Sequence, residues 1–232
     1  MFDLNIRGKS YGENIELAME ASKYGWKHVS FSYDQNDYED AISFKDDLKD
    51  DLKDFIDVDY TLYIKSNNPS EIRKIARKYR SKSSCISVLG GNLKVNRAVL
   101  ENVQIDVLSR PYFKRYDAGI NHILAREAKE NNVALEIVFS DILNSYLSHR
   151  SKVLANFRDI YRLHRKYKFP LILSSGAESV YDIRTVHDFM AVFVQTGLND
   201  FEVEKAFETA EEILNFNSNR KNLILTGVRV VE

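Results

Sequence analysis

Short apolar runs alternate with longer amphipathic stretches along the whole chain. Seven of the runs are rich in Val, Ile, Leu, Phe and Tyr, as buried strands usually are. In the longer stretches apolar residues recur every three or four positions, which predicts helices with one buried side. This order is typical of repeated strand–helix units around a parallel sheet.

The predicted strands are Phe2–Ile6, His28–Ser32, Tyr60–Lys65, Cys85–Leu89, Ile105–Leu108, Ala134–Phe139 and Leu171–Ser174. The predicted helices lie near 13–24, 37–55, 69–80, 93–101, 119–131, 149–167, 185–196 and 200–215. The helix over 37–55 has an apolar stripe that consists of Ala41, Phe44, Leu48, Leu52 and Phe55.

Polar residues and prolines predict where some of these helices begin. Pro69 and Ser70 suit the start of a helix, and Asp117 is the predicted N-cap of the helix over 119–131. The last segment, Asn222 to Val231, fits either a short extra strand or an ordered tail, because Gly227 interrupts it.

Seven such units most simply close into a TIM-like (β/α) barrel of about seven parallel strands with surrounding helices. An open doubly wound sheet would give the same pattern. The 232 residues contain no linker rich in Pro, Gly or Ser, so we expect one α/β domain over 1–232.

The net charge of -1 hides a strong division of charge along the chain. Residues 1–64 carry 7 Lys/Arg and 15 Asp/Glu, residues 65–170 carry 21 and 9, and residues 171–232 carry 5 and 10. The corresponding net charges are -8, +12 and -5. A basic middle between acidic ends suits a protein that presents one side to phosphate, although chance clustering of surface charge gives the same numbers.

The single cysteine, Cys85, excludes an internal disulfide and a cysteine-based zinc cluster, and we expect it to be a buried thiol. The chain has no signal-like start and no apolar run of about 18 residues. We therefore expect a cytoplasmic protein without a membrane partner.

Four segments occur together and in order: Phe2-Asp3-Leu4; Ile-Asp-Val-Leu-Ser-Arg-Pro at 105–111 with Gly-Ile-Asn-His-Ile-Leu-Ala at 119–125; Arg-Ser-Lys-Val-Leu-Ala-Asn-Phe-Arg at 150–158; and Leu-Ser-Ser-Gly-Ala-Glu-Ser-Val-Tyr-Asp-Ile-Arg at 173–184. The set resembles the protein component 3 family of ribonuclease P. The resemblance favours the barrel, because that family has a barrel related to the polymerase and histidinol phosphatase superfamily.

The resemblance implies a non-catalytic subunit of the ribonucleoprotein that removes 5′ leaders from precursor tRNA. In that family the RNA performs the chemistry with magnesium, and the chain itself holds no cofactor. The implied partners are the ribonuclease P RNA, protein component 2 and, indirectly, precursor tRNA. Component 3 would support the RNA by neutralising repulsion between its phosphates.

Catalytic and metal-binding residues are not expected in this chain. Metal-dependent relatives in the superfamily begin with a His-any-His pair, and here Asn5 and Arg7 stand at the matching places. The chain has five histidines: His28, His122, His149, His164 and His187. None of them lies at the carboxyl end of a predicted strand, where a metal site of a barrel enzyme would be assembled. A metal-dependent phosphoesterase is the alternative function, and a scaffold that only binds proteins is a third interpretation.

Two polar features of the predicted barrel have more than one interpretation. Glu136 should point into the barrel, either as a remnant of an active site or as a hydrogen-bonded structural group. Ser174-Ser175-Gly176 suits either a phosphate-binding loop or a tight turn.

The candidate RNA-binding residues are basic and lie mostly in the middle of the chain. Arg110, Lys114 and Arg115 are interleaved with Tyr112, Phe113 and Tyr116, a composition that suits phosphates and unpaired bases or an aromatic loop packed on the barrel. His122, Arg126 and Lys129 share one side of a helix, which alone would more often be merely solvated. The remaining candidates are Arg150, Lys152, Arg158 and Arg184.

These candidates lead to one hypothesis about how the surface is divided. The segment 94–168 and Arg184 would face RNA, an apolar barrel surface would face component 2, and the acidic ends would be turned away. For Arg184, an ion pair with Asp182 or Asp188 is the alternative.

Overall fold

The computed structural model describes residues 1–220, 223–225 and 228–229, and its centre is a sheet of seven parallel strands. The strands are β1 (Phe2–Arg7), β2 (His28–Asp34), β3 (Asp57–Ile64), β4 (Cys85–Leu89), β5 (Val107–Ser109), β6 (Ala134–Val138) and β7 (Leu171–Ser174). Each strand pairs with the next one in sequence. All seven predicted strands are confirmed.

The first and last strands lie side by side, so the sheet curls into a nearly closed barrel. The amide of Arg7 donates a hydrogen bond of 2.8 Å to the carbonyl of Ala177. The amide of Ser175 donates to both carboxylate oxygens of Asp3 at 3.2 Å. In an open sheet β1 and β7 would be distant edges, so the predicted TIM-like (β/α) barrel is confirmed over the open alternative.

Helices surround the barrel. They are α1 (Tyr11–Lys23), α2 (Tyr38–Ile42), α3 (Lys45–Leu52), α4 (Pro69–Tyr79), α5 (Leu93–Leu100), α6 (His122–Glu130), α7 (Ser140–Leu143), α8 (Leu147–Tyr167), α9 (Val186–Thr196) and α10 (Asp200–Ser218), and a 3₁₀ turn spans Val180–Asp182. The short α7 and this 3₁₀ turn were not predicted.

The single helix predicted over 37–55 is wrong, because the chain breaks it between α2 and α3. The Ser43 hydroxyl donates to the Asp40 carbonyl, which ends α2. The Phe44 ring then packs 5.8 Å from Tyr11, measured between ring centroids. Of the predicted stripe, Ala41, Leu48 and Leu52 are buried. Phe55 lies beyond α3 and is 55% exposed.

The predicted N-cap of α6 is also wrong. Asn121 caps this helix, because its side chain accepts hydrogen bonds of 3.0 Å from the amides of Ile123 and Leu124. Asp117 instead pairs with Arg115 and accepts from the amide of Gly119 at 2.9 Å. The helix begins at His122, three residues later than predicted.

The hydrophobic core has an outer layer between sheet and helices and an inner layer within the barrel. The inner layer lies at the amino-terminal ends of the strands and consists of Leu4, Cys85, Val107, Ala134 and Ile172, packed with Ala210, Ile213 and Leu214 of α10. Helix α10 thus seals this end of the barrel. Cys85 is buried as predicted, and this burial raises the pKa of its thiol.

Near the end of the chain, Leu223–Leu225 pairs antiparallel with Val228–Arg229 as β8 and β9. This ladder supports the extra strand considered for Asn222–Val231, whereas Gly227 and the rest of that segment lie outside the described residues. Among the helices described, none is both long and apolar enough to span a bilayer.

Candidate nucleic-acid interface

The carboxyl-terminal mouth of the barrel is occupied by charged side chains that neutralise one another. The Arg7 guanidinium lies 4.1 Å from the centroid of the Tyr63 ring and 3.6 Å from one oxygen of Asp34. Lys65 Nζ lies 2.7 Å from the other oxygen of Asp34. Two cations therefore share one carboxylate at the place where barrel enzymes usually hold their reactive groups.

Glu136 points into the barrel, as the strand alternation predicted, and is almost fully buried. Asn5 Nδ2 donates a hydrogen bond of 3.2 Å to Glu136 Oε2. The Ser32 hydroxyl in turn donates to Asn5 Oδ1 at 2.8 Å. These bonds favour the structural interpretation of Glu136, because a buried carboxylate requires such partners.

Arg110 follows β5 in a left-handed backbone conformation, with a φ of 49°. Its Nη2 donates to the Ser140 hydroxyl at 2.9 Å, and its Nε lies 3.2 Å from Asp141 Oδ2. The Tyr112 hydroxyl donates to the same Asp141 oxygen at 2.8 Å. Burial raises the pKa of Asp141, while the charge of Arg110 opposes that shift. Arg110 therefore lies within the barrel mouth and its charge is largely balanced there.

The residues at the barrel mouth do not fit a metal ion. Among the described residues, no three His, Cys, Asp or Glu side chains cluster closely enough to hold one. The Arg7 guanidinium places a fixed cation at this mouth, where it is held by Asp34 and the Tyr63 ring. The loop after β7 closes the barrel, and a Cβ at Gly176 would lie 2.3 Å from Val138, so this loop is a tight turn that requires glycine.

The outer surfaces of α6 and α8, together with the loop before α6, form what we call the basic flank. Its exposed basic members are Lys114, His122, Arg126, Lys129, Lys152 and Arg158. None of these six forms a salt bridge within the described part of the chain, although Arg158 Nε donates a hydrogen bond of 3.4 Å to the carbonyl of Thr196. Unpaired cations of this kind are available to neutralise an external polyanion.

Contacts between aromatic rings and cations join the parts of the basic flank. Lys152 Nζ of α8 lies 4.7 Å from the centroid of the Tyr116 ring in the loop before α6. The Arg126 guanidinium of α6 lies 5.7 Å from the Tyr167 ring at the end of α8. The structure therefore brings together three groups of candidates that are separate in sequence.

The aromatic loop divides into packed and exposed rings, so the interpretation as a loop packed on the barrel is confirmed for Tyr112, and RNA binding by the exposed residues stays a prediction. Tyr112 is buried, whereas Tyr116 is 87% exposed. Arg115 is held by both oxygens of Asp117, at 2.6 and 2.7 Å, and by the carbonyl of Gly91 at 3.1 Å. Of the three basic candidates in this loop, Lys114 is the one that projects freely.

Two further candidates bond mainly to backbone. Arg150 Nε donates to the Ser145 carbonyl at 2.8 Å, close to the basic flank. Arg184 donates to the carbonyls of Tyr181 and Ile183 at 2.6 and 3.0 Å, rather than pairing with Asp182 or Asp188. It lies beside α1 and is not part of the basic flank, since the carbonyl of Arg184 accepts from Trp26 Nε1.

Three residues near this surface were not among the individual candidates, although Lys94 and Tyr146 lie within the segment 94–168 that was expected to face RNA. Lys65 and Lys94 border a cleft with Lys114, and the exposed Tyr146 lies 5.5 Å from the Arg150 guanidinium. The position of Lys65 at the end of a strand could have identified it. Lys94 follows a Gly-Gly-Asn turn, which is a weaker signal for a surface loop.

Fold and site together define a TIM-like barrel protein with a charge-balanced mouth and a basic flank. The sequence profile described as "RNase P subunit p30" matches residues 1–222. The chain belongs to this ribonuclease P subunit family.

Individual relatives agree with this assignment. The chain is 41% identical over 233 residues to a protein named ribonuclease P protein component 3 from Methanothermobacter thermautotrophicus, covering 99% of this chain and 95% of that protein. It also resembles a chain in the structure of archaeal ribonuclease P with mature tRNA, with a TM-score of 0.82, 29% identity and coverage of 100% and 98%. The histidinol phosphate phosphatase of Lactococcus lactis shares the fold, with a TM-score of 0.57, 12% identity and coverage of 85% and 94%.

Proposed function

We propose that this chain acts as a protein subunit of the ribonuclease P ribonucleoprotein, in which RNA catalyses removal of 5′ leaders from precursor tRNA. The observation that carries the proposal is the membership of this family together with the basic flank, whose exposed members form no salt bridge within the described residues. Its role is to neutralise phosphates of the ribonuclease P RNA and so to favour the compact, active RNA fold.

The ten basic residues predicted from the sequence contribute unequally to this proposed role. Lys114, Arg126, Lys129, Lys152 and Arg158 are the primary phosphate contacts, because they are exposed and unpaired within the described residues. His122, exposed on α6, adds a hydrogen-bonding contact. Arg110, Arg115 and Arg150 support the loops that carry these residues, and Arg184 belongs to a separate surface. The proposed protein partner is component 2, and the required magnesium is held by the RNA.

The experiment that tests this proposal is reconstitution of precursor-tRNA cleavage. The cognate ribonuclease P RNA and component 2 are assayed with and without this chain across a magnesium titration. We expect the chain to raise the cleavage rate or to lower the magnesium concentration required. No effect at any magnesium concentration would contradict the subunit role.

The same preparation distinguishes the alternative function. The chain alone is incubated with zinc or manganese and a small phosphomonoester, and we expect no hydrolysis. Turnover that requires stoichiometric bound metal would instead support a phosphoesterase. It would contradict the expectation that a chain with Asn5 and Arg7 at the places of the two histidines does not bind a catalytic metal.

A further inference from the structure

A cleft of about 690 Å³ opens at the carboxyl-terminal edge of the barrel, beside the basic flank. The loops after β3, β4 and β5 form it. Its lining consists of Lys65, Ser66, Asn67, Leu89, Gly90, Gly91, Asn92, Leu93, Lys94, Phe113, Lys114 and Arg115. This volume lies within the range of about 300–1,000 Å³ that is usual for sites of small ligands.

The cleft carries four cations and no carboxylate in its lining. Arg115 and Lys65 are already paired, with Asp117 and Asp34. Lys94 and Lys114 are exposed and form no salt bridge within the described residues, so two positive charges remain for a ligand. Charge alone therefore favours an anion in this cleft.

An aromatic ring lies next to these charges. Phe113 is part of the lining, and Lys114 Nζ lies 5.3 Å from the centroid of its ring. Rings beside cations suit unpaired nucleotides, because the base stacks on the ring while the cation neutralises the phosphate. A simple phosphate ion would make no use of the ring.

The walls of the cleft are fixed before any ligand arrives. Asn96 is fully buried, and its Nδ2 donates to the carbonyls of Pro111 and Gly119 at 2.9 and 2.8 Å. Its Oδ1 accepts from the amide of Gly91 at 3.0 Å. Gly91 has a φ of +106°, and a Cβ there would lie 2.3 Å from the carbonyl oxygen of Phe113. One buried amide thus holds the loops after β4 and β5 together, which lowers the entropy cost of binding.

We propose that this cleft binds an unpaired nucleotide of RNA, with the base against Phe113 and the adjoining phosphates near Lys94 and Lys114. The proposal rests on the proposed function, since the ribonuclease P RNA would supply the nucleotide. It adds a single-stranded contact to the general phosphate neutralisation by the basic flank.

The first test measures binding of a fluorescein-labelled single-stranded uridine hexamer to the full chain by anisotropy, at several salt concentrations. Phe113→Leu keeps apolar volume but removes the ring, and we expect binding to weaken about 5- to 100-fold. Lys94→Ala should reduce the slope of log affinity against log salt by about 0.7, the value for one single-strand phosphate. Phe113→Leu should leave that slope unchanged.

The matched control is Lys53→Ala, which removes an exposed lysine from the acidic part of the chain and should change neither quantity. Thermal unfolding shows whether each variant is folded. If Phe113→Leu does not fold, the salt dependence of binding by Lys94→Ala still tests the proposal. Tighter binding to a duplex of equal length, or equal losses in Lys53→Ala, would overturn the proposal.

The second test separates this proposal from the subunit role. Phe113 is replaced by the photoreactive p-benzoylphenylalanine in the reconstituted holoenzyme, and the cross-linked nucleotide is mapped. The control carries the photoprobe at Phe201, which is 73% exposed at the start of α10. We expect a cross-link to an unpaired nucleotide from position 113 and none from position 201.

An active holoenzyme without a cross-link at position 113 would refute nucleotide binding in the cleft and leave the subunit role intact. An inactive reconstitution with the unsubstituted chain would contradict the subunit role, while the hexamer assay still tests the cleft.

Discussion

Asp3 shows how a single residue couples barrel closure to protonation. It is buried at the seam between β1 and β7, where it accepts from the amides of Asn5 and Ser175. Burial raises its pKa to about 6, and these hydrogen bonds only partly oppose the shift. The folded protein therefore binds this proton more tightly than the unfolded chain does.

The expected consequence is a loss of stability as the pH rises. The contribution of protonated Asp3 is fully present below its unfolded pKa of about 3.9 and is lost as the pH rises through about 6. Asp3→Asn keeps an acceptor for both amides but cannot ionise. We expect it to exceed the wild type in unfolding free energy at pH 7.5, by about 1–3 kcal/mol, and to match it near pH 4.

The measurement is urea unfolding of both proteins from pH 4 to pH 8. Asp46→Asn, an exposed site on α3, is the control for removing one charge. A constant difference between the wild type and Asp3→Asn at every pH would contradict the raised pKa.

Residue types alone could not separate free cations from buried ones. Arg110 and Lys114 have the same surroundings in sequence, yet Arg110 turns inward to Asp141 and Lys114 points outward. The partner of Arg110 lies 31 positions away and reaches it only because β5 and β6 are neighbours. Such pairings depend on tertiary structure and leave no local pattern.

At the scale of elements, strands were easier to predict than helix ends. Apolar runs with two buried sides identify the strands of a parallel sheet directly, and the predicted bounds of β4 and β7 match the structure. Helix ends depend on individual hydrogen bonds, such as those of Ser43 and Asn121, which compete with equally plausible caps nearby. The inward direction of Glu136 followed from strand alternation, whereas its bond to Asn5 of β1 did not.

Helix α10 should be essential to stability, because its apolar side completes the inner core. Leu214→Ala removes a nearly buried side chain from that layer, and we expect a loss of about 2–5 kcal/mol in unfolding free energy. Phe216→Ala, on the same helix but 48% exposed, is the control and should cost about 0.5 kcal/mol or less. Similar losses in the two variants, measured by urea unfolding, would show that α10 does not seal the barrel.

At the scale of the molecule, part of the basic central segment is brought together, because α6 and α8 pack against each other. The cations of the central segment are distributed over several elements: Arg73, Lys74, Arg77 and Lys78 lie on α4, Lys94 and Arg97 on α5, and the members of the basic flank on α6, α8 and the loop before α6. The family resemblance indicated the fold and the subunit role, and the comparisons support both. The residues that contact RNA stay a prediction.

Charge reversal tests this distribution in the holoenzyme. Lys152→Glu and Arg158→Glu should each reduce cleavage at limiting magnesium and lower the salt concentration at which activity is lost, because phosphate contacts weaken with salt. Lys53→Glu makes the same change of charge in the acidic part of the chain and should leave both properties unchanged. Equal effects of all three variants on the salt profile would point to net charge rather than to the basic flank.

The seal of the barrel by α10 also has a consequence for how the chain reaches its fold. Leu4 of β1 packs with Ile213 and Leu214 of α10, which follow it by about 210 positions in the chain. Closure of the β1–β7 seam likewise joins residues 172 positions apart. Contacts of such high sequence separation form slowly, and an unfinished barrel exposes two strand edges and an open apolar interior. The folding chain is therefore exposed to association until α10 has packed against the barrel.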